Sequence, residues 1–144
     1  MKTIKLFELK KIHTEFPAIK ISSSNEAANF IRRFYFDDIE IFESFFILLL
    51  NQANKTIGYA KISQGGIAGT VVDVRIIAKY AVESLAVSVI LAHNHPSGNL
   101  KPSEADLIIT KKIKEGLKIL DIKVFDHIIL SADNYYSFED EGNL

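Results

Sequence analysis

Short apolar runs recur along the chain and predict the strands of a sheet. Residues 42–50 read Phe-Glu-Ser-Phe-Phe-Ile-Leu-Leu-Leu, a nearly continuous apolar run that is typical of a strand covered on both faces. A polar stretch at 51–55 separates this run from a second strand predicted at 56–62, and the spacing favours a hairpin. Further strands are predicted at 86–92, 124–130 and, as a short last strand, 135–138.

Apolar residues at helical spacing predict three helices among these strands. The first helix, at about 24–35, begins with Ser23 and Glu26 at the spacing of a capping box. Its apolar face, at i, i+3, i+4 and i+7, consists of Ala27, Phe30, Ile31 and Phe34. Asp73 is expected to cap a second helix, and a third is predicted at about 103–120. Helices that alternate with apolar strands indicate a mixed α/β layer fold.

Two segments carry weaker patterns. The first twenty or so residues mix charges with scattered apolar side chains, and we interpret them as an edge strand or an extension. Residues 63–66, with Gly69 soon after, predict a flexible loop. The length of 144 residues fits one ordinary globular domain.

Composition and charge exclude several classes of protein. The chain has no Cys, which excludes disulfide scaffolds, thiolate zinc sites and cysteine nucleophiles. Its formal net charge of -1 argues against broad electrostatic capture by nucleic acid or an anionic membrane. The N-terminus has no apolar signal-peptide core, and the longest apolar run, 45–50, is too short to cross a bilayer. We therefore expect a soluble, cytoplasmic protein with no membrane partner.

Two histidines stand where a strand gives way to a loop, and they are the main candidates for metal ligation. His93 and His95 are two residues apart, so in extended backbone both imidazoles project to the same face. Pro96 supports extended geometry at His95. His13 is interpreted as incidental. His127 is interpreted as a satisfied core residue, with a supporting contact to the metal ligands as the alternative.

Two carboxylates stand where apolar side chains are expected. At about 100° per residue, Asp106 falls within the stripe of the third helix that faces the core. A carboxylate there is costly unless it is paired, hydrogen-bonded or bound to a metal. The simpler alternative is a capping box, since Ser103 and Asp106 have that spacing. Glu43 shares a strand face with Phe45 and Ile47, although alone it is more often a solvated strand edge.

Together these residues have the composition of a catalytic zinc site. Two neutral imidazoles, His93 and His95, and the carboxylate of Asp106 leave a fourth position open, as catalytic zinc sites do. In such a site zinc activates water, and a carboxylate such as Glu43 takes up the proton. A hydroxyl such as that of Ser103 can donate a hydrogen bond to the oxyanion of a tetrahedral intermediate.

The residues of this candidate site resemble the JAMM motif of the JAB/MPN metalloproteases. The motif is matched by Glu43, His93-x-His95-Pro96 and Ser103-x-x-Asp106. Neighbouring segments are similar to the RadC family in particular: Leu-Ala-His-Asn-His-Pro-Ser-Gly at 91–98, Pro-Ser at 102–103 and Asp-His-Ile-Ile at 126–129. The resemblance covers about residues 38–144.

The resemblance carries expectations about fold, activity and site. It implies a curved mixed β-sheet flanked by helices, of the cytidine-deaminase-like type, over 38–144, with 1–37 as an N-terminal extension that has one helix and packs on that domain. It implies a zinc-dependent hydrolase of peptide or isopeptide bonds, with a peptide or protein as substrate. The implied zinc ligands are His93, His95 and Asp106. Glu43 is the implied general acid/base and Ser103 the implied donor to the oxyanion.

The sequence departs from the family pattern at two points, and the family's traditional label keeps a second function open. Asn94 stands where deubiquitinating JAMM enzymes have Ser or Thr, although RadC-type sequences have Asn there. The resemblance also implies a short form without the helix-hairpin-helix region of longer RadC proteins. The traditional family label of DNA repair suggests, as the alternative, a non-catalytic accessory role in DNA metabolism. The retention of Glu43 and Ser103 favours the hydrolase, since a structural zinc site needs neither.

Other chemistries are excluded by the residues themselves. The string His-Asn-His is not an HNH nuclease motif, because that motif spreads its residues over a ββα unit. A zinc deaminase needs a pair of Cys, and the chain has none. Lys111, Lys112 and Lys114 are interpreted as the solvated face of the third helix.

Overall fold

The computed structural model describes residues 1–65 and 71–144, and within these ranges it contains three α-helices and five strands. The helices are α1 at Ser24–Arg32, followed by a 3-10 turn at Arg33–Tyr35, α2 at Val74–Glu83 and α3 at Glu104–Ile119. The strands are β1 at Ser44–Leu50, β2 at Thr56–Gln64, β3 at Ser88–Asn94, β4 at Lys123–Leu130 and β5 at Tyr135–Ser137. The helices and strands predicted from the apolar pattern are confirmed, with small shifts at their ends.

Two details differ from the prediction, and a third prediction falls on residues that the structure does not describe. Strand β1 begins at Ser44, so Glu43 lies before it rather than inside it, and the Phe42 carbonyl accepts a hydrogen bond from the Asn94 side chain. Strand β2 continues two residues into the predicted loop, as far as Gln64, which pairs with the first residue of β1. The predicted loop residues 66–69 lie outside the described residues.

The N-terminal segment forms an extension and not an edge strand. Residues 1–18 are described, and they contain neither helix nor strand. An isolated bridge joins Lys20 to Lys55. Phe16 packs edge-on against Phe30 and Phe34 and so ties the segment to the helical layer. Before Phe16, Leu9 is partly buried but the large apolar residues Ile4, Leu6, Phe7 and Ile12 are exposed, so the segment has no continuous buried face to hold a strand.

The strands form one mixed sheet in the order β2-β1-β3-β4-β5. All neighbouring strands are antiparallel except β3 and β4, which are parallel and connected through α3. Every residue of β1 and β3 is buried, as their continuous apolar runs predicted. This mixed sheet with helices confirms the expected α/β fold class.

Each face of the sheet is covered by a separate apolar cluster. On one face, Ile31 and Phe34 of the α1 region pack with Phe46 and Leu48. On the other face, β1 and β3 pack with α2 and α3. This second cluster includes Phe45, Ile47, Leu91, Ile77, Ile113 and Leu117. None of the helices in the described ranges is long and apolar enough to cross a membrane.

The register between β1 and β3 determines where the candidate site forms. Phe45 pairs with His93 in this antiparallel ladder. Two residues outward along each strand, this register sets Glu43 opposite His95. Alternate side chains share a face, so all four of these residues project toward the face that α3 covers. The sheet therefore brings the carboxylate of Glu43 to the two predicted imidazoles. The helix α3, which connects β3 to β4, brings the carboxylate of Asp106.

Candidate metal centre

Three elements place four predicted site residues around one point. His93 is on β3 and His95 follows it, Asp106 is in the first turn of α3, and Glu43 precedes β1. His93 is buried and the other three are partly buried. Glu43, His93 and His95 each offer a ligand atom, and those atoms all lie within 4.8 Å of one another.

The closest contacts involve the two imidazoles and Asp106. The Nε2 atoms of His93 and His95 are 3.0 Å apart. One carboxylate oxygen of Asp106 lies 3.3 Å from Nε2 of His93, and the other lies 3.3 Å from Nε2 of His95. In a tetrahedral zinc site with bonds of about 2.0 Å, neighbouring donor atoms are about 3.3 Å apart. The donor spacing therefore fits zinc.

The hydrogen bond of His95 shows which of its nitrogens is protonated. Its Nδ1 lies 2.6 Å from the carbonyl oxygen of Asn99, which can only accept, so Nδ1 carries the hydrogen. In the neutral ring Nε2 is then a lone pair directed at His93 and Asp106. Acceptor atoms this close to one another need a positive charge among them, which either a proton on an imidazole or a metal ion supplies. This is a second observation that fits a metal ion.

The charges at the site also favour a cation. Burial lowers the pKa of His95, but Asp106, the Asn99 carbonyl and Glu43 together raise it above the ordinary value. Burial raises the pKa of Asp106, but the two imidazoles and the Ser103 N–H hold it well below its usual range. Asp106 is therefore ionised at neutral pH.

Asp106 also caps α3, which confirms the simpler of the two predicted explanations of this residue. Its Oδ2 accepts the backbone N–H of Ser103 at 2.8 Å, and Ser103 Oγ accepts the N–H of Asp106 at 3.0 Å. This is the predicted capping box. As an acceptor in the cap, Ser103 keeps its own hydroxyl hydrogen, and its side chain is exposed at the start of the helix.

Glu43 lies farther from the imidazoles than Asp106 does. Its Oε1 is 4.0 Å from Nε2 of His95. Asp106 contacts both imidazoles at 3.3 Å, so of the two carboxylates it has the better position for a ligand. A groove lined by Pro96 and residues 39–40 and 131–134 includes His95 as its only member of this cluster.

Asn94 holds the segment that carries Glu43, a role the sequence analysis did not find. Its Nδ2 donates to the carbonyl oxygens of Ile39 at 2.6 Å and Phe42 at 2.7 Å, and its Oδ1 accepts the N–H of Ser44 at 2.8 Å. Asn94 is fully buried. An amide flanked by two histidines at the end of an apolar strand is the signal that could have indicated it.

His127 is both a satisfied core residue and a contact of His93. Its Nε2 lies 2.7 Å from Nδ1 of His93, and its Nδ1 lies 2.6 Å from Oγ1 of Thr110. Burial lowers the pKa of His127 well below its ordinary value, so the ring is neutral. Thr110 was not singled out by the sequence analysis.

The residues interpreted as incidental lie apart from the site. His13 is exposed in the N-terminal extension. Lys111, Lys112 and Lys114 are exposed on α3, as predicted for a solvated face.

The fold and the site define an α/β domain with a candidate mononuclear metal centre of two histidines and a carboxylate. The chain belongs to the RadC-like JAB domain family, whose profile matches residues 21–143. This bears out the resemblance found in the sequence.

Curated relatives carry names that state no activity. A UPF0758 protein of Flavobacterium johnsoniae is 56% identical over 100 residues, which cover 69% of this chain and 44% of the relative. A UPF0758 protein of Porphyromonas gingivalis is 45% identical over 103 residues, 71% of this chain and 45% of the relative. The UPF0758 protein YfjY of Escherichia coli K12 is 43% identical over 102 residues, 71% of this chain and 64% of the relative. The matched part is thus about half the length of the first two of these relatives.

Proposed function

We propose that this protein is a zinc-dependent hydrolase of the JAMM type that cleaves a peptide or isopeptide bond. The observation that carries the proposal is the cluster of Nε2 of His93, Nε2 of His95 and the Asp106 carboxylate at 3.0–3.3 Å. Bound there, zinc would supply the Lewis acid that activates water and polarises the scissile carbonyl. Three protein ligands leave room for reacting groups, as catalytic zinc sites require.

The position of Glu43 supports our assignment of this residue as the general acid/base. It is 4.0 Å from Nε2 of His95, close to the ligand cluster but outside its tightest contacts. We assign its carboxylate to accept the proton of the attacking water and to return it to the leaving amine. Asn94 supports this role because it fixes the backbone on both sides of Glu43, at Phe42 and at Ser44.

Ser103 is assigned to the oxyanion of the tetrahedral intermediate. Its oxygen is fixed by the capping bond from the Asp106 N–H, so its hydroxyl hydrogen is available to an outside acceptor.

Replacing Glu43 with Gln tests the assignment of the general base. The amide keeps the size of the side chain but cannot accept a proton, so we expect zinc content to stay and cleavage to fall by about 100-fold or more. The measurement is zinc content by atomic absorption together with cleavage of a pool of fluorogenic peptides and isopeptide-linked substrates. Glu83→Gln, an exposed change on α2, is the matched control. Cleavage by Glu43→Gln at the rate of the control would contradict the assignment.

A further inference from the structure

We propose that Thr110 and His127 are positioning residues that hold His93 in the tautomer whose Nε2 lone pair faces the metal site. They form a chain of hydrogen bonds behind His93, on the side away from the candidate site. The effect on the metal rests on the proposed function, but the tautomer of His93 is a property of the metal-free protein. The two parts are therefore separately testable.

The chain begins at a group that can only accept a hydrogen bond. Thr110 Oγ1 lies 2.6 Å from the backbone carbonyl oxygen of Asp106, so the single hydroxyl hydrogen of Thr110 is donated there. Oγ1 also lies 2.6 Å from Nδ1 of His127. Because its hydrogen is already used, Thr110 accepts in this second bond, and His127 carries its hydrogen on Nδ1.

The same reasoning determines which ring donates in the hydrogen bond between His127 and His93. A neutral His127 with its hydrogen on Nδ1 has a lone pair on Nε2. That Nε2 lies 2.7 Å from Nδ1 of His93, so His93 donates, and its own hydrogen is on Nδ1. Nε2 of His93 is then left as a lone pair, 3.3 Å from Asp106 and 3.0 Å from Nε2 of His95. This is the form that a metal ligand must have.

Because these side chains are buried, the hydrogen bonds among them determine the tautomer of His93. His127 is completely buried, and Thr110 and His93 are 3% and 2% exposed, so water does not compete at these nitrogens. The His127 ring is stacked on Phe138 at 4.6 Å and meets Phe45 edge-on at 5.4 Å. These apolar faces offer no hydrogen bond, which leaves the partners at the ring nitrogens to fix the orientation.

The chain also links two candidate ligands. It starts on the backbone of Asp106 and ends on the side chain of His93. Partners of this kind commonly alter metal affinity about 10–100-fold when they are removed. A core histidine that is merely satisfied would not have this effect, since its loss would change only stability.

Thr110→Val is the test, because it removes the hydroxyl at nearly constant shape, and Thr110→Ser is the control that keeps it. Two-bond 1H–15N NMR of the metal-free protein at mildly alkaline pH reports which imidazole nitrogen is protonated. We expect Nδ1 of His93 to be protonated in the wild type and in Thr110→Ser, and this preference to be lost in Thr110→Val. Zinc affinity, measured by competition with a chelating dye, should fall about 10-fold or more in Thr110→Val relative to Thr110→Ser.

Three results would overturn the proposal. One is protonation of Nε2 of His93 in the wild type, which decides the matter even if Thr110→Val does not fold. Another is a Thr110→Val protein that folds and keeps the His93 tautomer of Thr110→Ser. The third is equal zinc affinity in those two variants. A wild type that shows the expected tautomer but binds no zinc contradicts the proposed hydrolase and leaves the positioning of His93 standing.

Discussion

At the scale of single residues, three consecutive side chains, from His93 to His95, project alternately to the two faces of the sheet. His93 and His95 project toward α3, whereas Asn94 between them holds the segment before β1 on the opposite side. All three of its amide hydrogen bonds go to backbone groups. The side chain is fully satisfied and buried, so any change in its donors leaves a buried polar group without a partner.

Asn94→Asp is expected to destabilise the protein by about 3 kcal/mol. The carboxylate keeps the shape but loses both N–H donors, and it places a buried negative charge beside the carbonyl oxygens of Ile39 and Phe42. The measurement is urea-induced unfolding followed by circular dichroism. Asn99→Asp at an exposed position, where the side chain acts as an acceptor, is the matched control. Equal unfolding midpoints for the two variants would show that Asn94 does not hold this segment.

The site residues that were predicted have a clearer sequence pattern than those that were missed. His93 and His95 were predicted from their spacing, and Glu43 and Asp106 from charge at apolar positions. Thr110 bonds a backbone carbonyl and a buried ring, and no residue pattern identifies such a partner. Asn94 is marked only by its place between two histidines at the end of an apolar strand. The role of His127 needed its two ring contacts, at 2.7 and 2.6 Å, which only the folded chain brings together.

At the scale of elements, the first turn of α3 both caps the helix and contributes residues to the candidate site. The Oδ2 atom of Asp106 accepts the N–H of Ser103 and also lies 3.3 Å from His95. The same turn supplies the carbonyl to which Thr110 donates. The geometry of the candidate ligand therefore depends on the cap that starts the helix.

Ser103→Ala is expected to cost about 1 kcal/mol of stability, because the N–H of Asp106 loses its acceptor. Chemical denaturation measures this loss, with Ser22→Ala, an exposed position before α1, as the control. Under the proposed function, the same change also lowers the rate of cleavage, while a stability equal to that of Ser22→Ala would contradict the capping role.

Local pattern was enough to predict most elements but not the N-terminal one. Burial in this fold accounts for the continuous apolar runs of β1 and β3 and for the periodic apolar face of α1. The edge strand considered for the first twenty residues does not form, since a strand needs a pairing partner as well as an apolar pattern. The division into residues 1–37 and 38–144 stays a prediction.

At the scale of the whole molecule, the site depends on strand order. Glu43 is far along the chain from His93, and the antiparallel pairing of β1 with β3 brings them together. The parallel β3–α3–β4 connection places Asp106 over the same end of the sheet. Neither pairing follows from a local pattern, and the sequence analysis predicted only that the sheet is mixed.

The most direct test of the account is the zinc content of the protein. After zinc loading and dialysis, we predict about one zinc per chain in the wild type, since three ligands and an open position form one mononuclear site. The double variant His93→Ala/His95→Ala should hold none, and His13→Ala, in the exposed extension, should hold as much as the wild type. A wild type without zinc, or a double variant with undiminished zinc, would contradict the account.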